Sequence, residues 1–95
     1  MIGVIATLKA QEGKGGDLLA ALKELAVQVN EKEEGCLQYD PFVAADDPDT
    51  IVMIERYATQ DALSAHGQTD YFKTAGRAMG GFMAGPPDIK VLTQG

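Results

Sequence analysis

One cysteine, Cys36, and one histidine, His66, are the only residues of their kinds in this sequence, and tryptophan is absent. A lone thiol closes no internal disulfide, and one thiol and one imidazole among scattered acids show no metal-ligand spacing. No metal site is therefore expected. Basic residues are also scarce. Lys9, Lys14, Lys23, Lys32, Arg56, Lys73, Arg77 and Lys90 stand against 14 acids, for a net charge of −6. No stripe of them would neutralise a run of phosphates or an anionic bilayer, so neither a nucleic-acid nor a membrane partner is expected. Long hydrophobic runs are missing too. The apolar start, Ile2 to Leu8, is too short to span a bilayer. With no basic residues ahead of it and no cleavage-type site behind it, it is not read as a signal peptide. A cytoplasmic location is then the default expectation. No glycine-rich phosphate loop follows a strand, so the pattern for nucleotide or flavin binding is absent.

What remains is a chain of 95 residues, the size of a single domain covering 1–95, with 45% apolar residues and a core limited by its small volume. Residues 2–9 form a partly β-branched apolar run that reads as a strand. QEGKGG at 11–16 is turn chemistry. Leu18, Leu22, Leu25 and Val29 lie on one helical stripe, which predicts an amphipathic helix over 17–33 with Asp17 in the first turn and Gly35 as the stop. The acids Glu31, Glu33 and Glu34 sit at the end of that helix where its dipole disfavours them, and nothing in the sequence accounts for them. Residues 36–44 read as a strand in which Pro41 requires an edge or a bulge. ADDPD at 45–49 reads as a turn, and TIVMIERY at 50–57 as the strongest strand of the chain. A short helix is expected over 60–66, capped by Thr59. A second helical stretch starts near Thr69 or Asp70, with Phe72, Ala75, Met79, Phe82 and Met83 on one face and Pro86 and Pro87 as its end. Residues 88–93 close the chain as a strand.

The order β-α-β-β-α-β predicts an α+β, ferredoxin-like domain: a four-stranded antiparallel sheet with helices on one face. In strand 50–57, Ile51 and Met53 point to one side and Val52 and Ile54 to the other, so both faces are apolar. Helices cover only one of them. The other calls for a partner, and two sheets packed face to face across a two-fold axis give a homodimer.

The ordered motifs resemble one family. Glu34-Gly35-Cys36-Leu37-Gln38-Tyr39 is similar to an E-x-G-C-L-x-Y start of the second strand. Asp47-Pro48, Ile51 to Tyr57, Ala62-Leu63 and His66 are similar to a D-P … E-x-[W/Y] … A-L-x-x-H series, and Tyr71-Phe72 to the H/Y-F pair after it. Together they resemble the antibiotic biosynthesis monooxygenase domain, quinol monooxygenases included. That resemblance implies a dimeric α+β barrel and, in several members, oxygenation of small phenols, anthrones or quinols by O2 without metal or flavin cofactors. Pro41 and the glycine-rich last helix depart from the family's pattern. A haem-degrading branch looks to an Asn in the first strand, a Trp before the last helix and a His within it. The corresponding stretches here offer Ala6-Thr7, His66 and Gly76, so all three are missing.

Candidate catalytic residues are His66 and Glu55. His66 is the side chain suited to exchanging a proton near neutral pH, as a base toward a phenolic substrate or else as a structural tie. Glu55 shares a strand face with Ile51, Met53 and Tyr57, which is costly for a carboxylate unless it is paired, and His66, Arg77 or a tyrosine could pair with it. The resemblance implies a Glu–His contact that steadies the imidazole; a hydrogen bond pinning the strand to the next helix is the structural alternative. Tyr39, Tyr57, Phe72, Met79 and Phe82 are candidates to bind an aromatic substrate, and equally ordinary core residues. Gly67, Gly76, Gly80, Gly81 and Gly85 make the last helical region marginal, which predicts a mobile lid. Cys36 has no flanking base and reads as a buried, unreactive thiol. A non-catalytic ligand-binding or regulatory dimer on the same scaffold fits the same sequence.

Overall fold

Alternation decides the two sides of the sheet. The computed structural model describes residues 1–95. In β1 (Ile2–Lys9), Ile2, Val4, Ala6 and Leu8 are buried while Ile5 and Lys9 are exposed. In β3 (Asp47–Tyr57), Ile51, Met53, Glu55 and Tyr57 are buried in the same rhythm. The strand period of two gives each strand one buried face. Between them runs α1 (Gly15–Lys32), whose Leu18, Leu22, Leu25 and Val29 are fully buried against that face. Each such side chain contributes about 1.5–3 kcal/mol of transfer free energy. The remaining elements are β2 (Cys36–Ala44), α2 (Gln60–Gly67), α3 (Asp70–Met79) and β4 (Asp88–Thr93). The strands form one antiparallel sheet in the order β2-β3-β1-β4. This is the ferredoxin-like α+β fold that the element order predicts, with the second helical arm divided in two.

Both helices of that arm start on a hydroxyl. Thr59 Oγ1 accepts from the Ala62 backbone N–H at 3.1 Å, and Thr69 Oγ1 from that of Phe72 at 3.3 Å. Pro41 lies in β2, an edge strand, as a residue without a backbone donor requires; the irregularities of β2 fall near its two ends instead of at Pro41.

Three boundaries differ by two residues or more from the sequence expectation. α1 begins at Gly15, not at 17. Its first turn has no cap of its own, and Asp49 supplies one from β3, its carboxylate accepting from the N–H groups of Gly13 (3.0 Å) and Gly15 (2.9 Å). Gly13 has a φ of 81°, and a Cβ on Gly15 would lie 2.0 Å from the Pro48 carbonyl oxygen, so glycine is required at both. β3 begins at Asp47, not at 50, because Asp47 organises the segment: its carboxylate accepts from the Asp49 N–H at 2.9 Å and the Thr50 hydroxyl at 2.7 Å. Finally, α3 ends at Met79, before Gly80 and Gly81, and does not run on to Pro86. Phe82 and Met83 are therefore not helical. They belong to a strap across the end of β1, where Gln11 N–H donates to the Phe82 carbonyl (2.8 Å) and Ala84 N–H to that of Lys9 (2.9 Å).

Candidate functional site

The helix layer does not fill the space over the sheet. A cavity of about 310 Å³ remains, floored by Val4, Ala6 and Met53 and walled by Leu63, Phe72 and Met79. Almost everything around it is apolar. Its titratable lining residues are His66, Glu55 and Tyr39, and no Lys or Arg reaches it. Of the residues singled out from sequence, His66, Glu55, Tyr39, Phe72 and Met79 thus meet at one cavity. Tyr57 and Phe82 do not line it. Tyr57 is fully buried behind Glu55, and Phe82 is half-buried in the strap.

His66, in the last turn of α2, is 4% exposed. Three rings surround the imidazole: Tyr39 at 5.0 Å, Tyr57 at 5.6 Å and Phe72 at 4.7 Å between centroids, all tilted. Nδ1 lies 3.0 and 3.1 Å from the two carboxylate oxygens of Glu33. Nε2 makes no hydrogen bond within the protein, yet no buried side-chain nitrogen or oxygen lacks a partner. His66 lines the cavity.

Of the partners open to Glu55, a tyrosine is the one it takes, and not His66. Its Oε1 accepts from the Tyr57 hydroxyl at 2.6 Å, and the carboxylate on Nδ1 of His66 is Glu33, not Glu55. Burial holds the Glu55 carboxyl above the usual carboxylate range, although the Tyr57 hydrogen bond and the nearby imidazole pull it back down. Burial likewise raises the phenols of Tyr39 and Tyr57. Cys36 is buried, its thiol pushed up to about 11 chiefly by burial, which fits the unreactive thiol expected. No three His, Cys, Asp or Glu side chains converge in a way that would hold a metal ion, and no helix is long and apolar enough to cross a membrane.

Comparison with known proteins places the chain in a family. The profile of the family described as antibiotic biosynthesis monooxygenase matches residues 1–78. The chain belongs to that family. It is 33% identical over 73 residues to "Putative monooxygenase YcnE" of Bacillus subtilis, covering 77% of this chain and 76% of that one. A crystal structure from Caulobacter crescentus, described as a "putative antibiotic biosynthesis monooxygenase", superposes with a TM-score of 0.91 at 45% identity, over 96% of this chain and 86% of that chain. A Nitrosomonas europaea protein of the same description gives a TM-score of 0.92 at 24% identity, over 99% and 98%, and attests the fold alone.

Two residues of this family member escape the sequence reading. Glu33, the C-terminal cap residue of α1, reaches the imidazole, and the Tyr71 hydroxyl of α3 donates to the other side of the same carboxylate. A signal for Glu33 existed. In an E-x-G-C pattern ending on Gly35 and Cys36, the acid falls at position 33, one residue before the Glu34 at which the resemblance was set.

Proposed function

We propose that this chain is a cofactor-independent monooxygenase that uses O2 to oxidise a small aromatic phenol, anthrone or quinol, acting as a homodimer. The observation that carries this reading is the place of His66 on an apolar cavity of about 310 Å³, with Nδ1 held by Glu33 and no hydrogen bond to Nε2 within the protein. Such a cavity is at the lower end of small-molecule sites and roughly twice the 150 Å³ that holds a benzene ring. It suits one aromatic system of modest size and excludes water from it. Membership of a family named for monooxygenases supports the reaction class.

The chemistry needs a proton acceptor and an electron-rich substrate. His66 Nε2 takes the phenolic proton. The anion then gives one electron to O2, the resulting superoxide and aryloxyl radicals recombine at a ring carbon that bears hydrogen, and the His66 imidazolium returns its proton to the peroxide anion so formed, giving a hydroperoxide. Loss of water from the hydroperoxide leaves the carbonyl product, so O2 supplies the oxidising equivalents and the substrate the electrons. Tyr39, Phe72 and Met79 supply the apolar walls that orient the ring, and Glu55 presents a carboxyl to its polar edge. Tyr57 acts through Glu55, and Phe82 through the strap that carries Met83 to the cavity.

Oxygen uptake by the purified protein, with EDTA present, over hydroquinones, naphthoquinols and anthrones tests the reading. Uptake above the spontaneous rate is expected, falling by ~10²–10⁴-fold in His66→Ala, the scale of a lost general base. No uptake on any of these compounds, or an unchanged rate in His66→Ala, overturns it in favour of a non-catalytic ligand-binding dimer.

A further inference from the structure

An imidazole serves as a base only through a nitrogen that carries no proton, and its neutral form has two tautomers that place this nitrogen differently. In His66 the choice is made by a residue that does not line the cavity. Glu33 lies on the far side of the ring, in a surface groove shared with Lys32, Cys36, Ala62 and Thr69. Both its oxygens approach Nδ1, at 3.0 and 3.1 Å. A carboxylate only accepts, so Nδ1 carries the proton and the unshared pair is left on Nε2.

The carboxylate is itself held. The Tyr71 hydroxyl donates to Glu33 Oε2, and the Lys32 ammonium lies 5.1 Å from the centre of the Tyr71 ring. Burial and then this hydrogen bond push the Tyr71 phenol up to about 12, so it remains a donor throughout the neutral range. The backbone permits the contact at one tight point. A Cβ on Gly35 would fall 2.6 Å from the Ala62 Cβ, and its absence lets α2 settle against the α1–β2 turn with His66 in reach of Glu33. An acid at the C-terminal cap of α1 opposes the helix dipole, a local cost that the contact with His66 explains.

We propose that Glu33, anchored by Tyr71, is a positioning residue that fixes His66 in its Nδ1–H tautomer, so that the unshared pair of Nε2 faces the cavity. This rests on the reading of His66 as the base, but half of its test needs no substrate. His66 is the only histidine, so protein labelled with ¹⁵N at histidine gives two imidazole nitrogen signals and no assignment problem. At alkaline pH the wild type is expected to show a protonated-type Nδ1 and an unprotonated-type Nε2. In Glu33→Gln the amide can turn either its oxygen or its nitrogen to the ring. The two signals should then move toward averaged positions, with a smaller move in Tyr71→Phe. Backbone amide spectra establish that each variant is folded, and Glu33→Asp, which keeps an acceptor, should restore the wild-type pattern in part.

On a substrate that the wild type oxidises, kcat of Glu33→Gln should fall at least about tenfold with KM little changed, a share of the ~10²–10⁴-fold that a general base supplies. A wild-type spectrum dominated by the Nε2–H tautomer, or a folded Glu33→Gln with the wild-type pattern or undiminished kcat, overturns the proposal. A wild type that shows the Nδ1–H tautomer but turns over no substrate overturns the reading of His66 as a catalytic base and leaves the tautomer assignment standing.

Discussion

Two carboxylates approach the imidazole under opposite conditions. Glu33 is partly open to the groove behind the ring, whereas Glu55 is 7% exposed at the cavity. For Glu55, burial raises the folded pKa above the unfolded value of 4.5. The folded protein therefore holds its proton more tightly than the unfolded chain, and stability falls as pH rises from about 4.5 through the folded pKa. Below that window both states are protonated and the penalty vanishes. Glu55→Gln removes the titration while keeping an acceptor for the Tyr57 hydroxyl. Relative to wild type, the variant should thus gain stability between acid and neutral pH, on the order of 1 kcal/mol, the scale of a single polar substitution. Urea unfolding of both proteins at the two pH values measures it, and a gap that moves the other way refutes the burial argument. Glu55 and His66 were legible as residues, one because a carboxylate is out of place on an apolar strand, the other because it is the lone imidazole. Their partners were legible only in part, a tyrosine standing among those open to Glu55. Tyr57 sits two residues from Glu55 in sequence, but only the pleat shows that its hydroxyl can curl back to the carboxylate. Glu33 registered only as a misfit at a helix end, since its partner is 33 residues away.

At the scale of elements, strands and helices were legible wherever burial pattern and local capping agree, as in β1, α2 and the leucine stripe of α1. Boundaries failed where a distant group completes them. The start of α1 depends on Asp49 and on the open backbone of Gly15 against Pro48, neither of them visible in the local sequence. The end of α3 failed for another reason. The apolar spacing of Phe82 and Met83 continues the helical stripe, but two successive glycines release the backbone first and the strap bonds to β1 instead. Met79 and Met83 carry the cavity wall across that break, which keeps the lid expectation open to measurement. Hydrogen exchange across 76–85 should be faster than in β1 and β3, apart from the bonded amides of Gly80, Phe82 and Ala84. Gly76 has open space where a Cβ would stand, so Gly76→Ala meets no clash and should stabilise α3 by about 0.5–1 kcal/mol, slowing exchange there. Protection across the whole segment equal to that of the central strands would show a fixed wall and not a lid.

The molecule as a whole leaves one side of its sheet uncovered. Phe42 of β2, Val52 and Ile54 of β3, Ile5 of β1 and Leu92 of β4 form an apolar band across all four strands, because Phe42 pairs with Val52, Ile54 with Ile5, and Gly3 with Leu92. Phe42 is 49% exposed and Leu92 47%. All three helices lie on the opposite face, so nothing within the chain will cover this band. A stripe that crosses a whole sheet is more than the scattered apolar residues normal on a monomer's surface. A second copy supplies a matching stripe without any new chemistry, since a two-fold axis makes a surface complementary to itself. Sheets packed this way keep about 10 Å between them, room for one layer of interdigitating side chains. Lys90 of β4 already pairs with Ile5 on this face, so a further ammonium in the middle of the layer loses its water and meets a like charge beside it. Ile5→Lys therefore carries the test, since its Cβ points away from the cavity and the helices. Sedimentation equilibrium should give the wild type a mass near twice the 10.1 kDa of one chain, and the variant a mass near 10.1 kDa with its fold retained by circular dichroism. A wild type that sediments as a single chain at tens of micromolar would mean that the exposed band is tolerated in water and that the cavity, with His66 and Glu55, is complete in one copy.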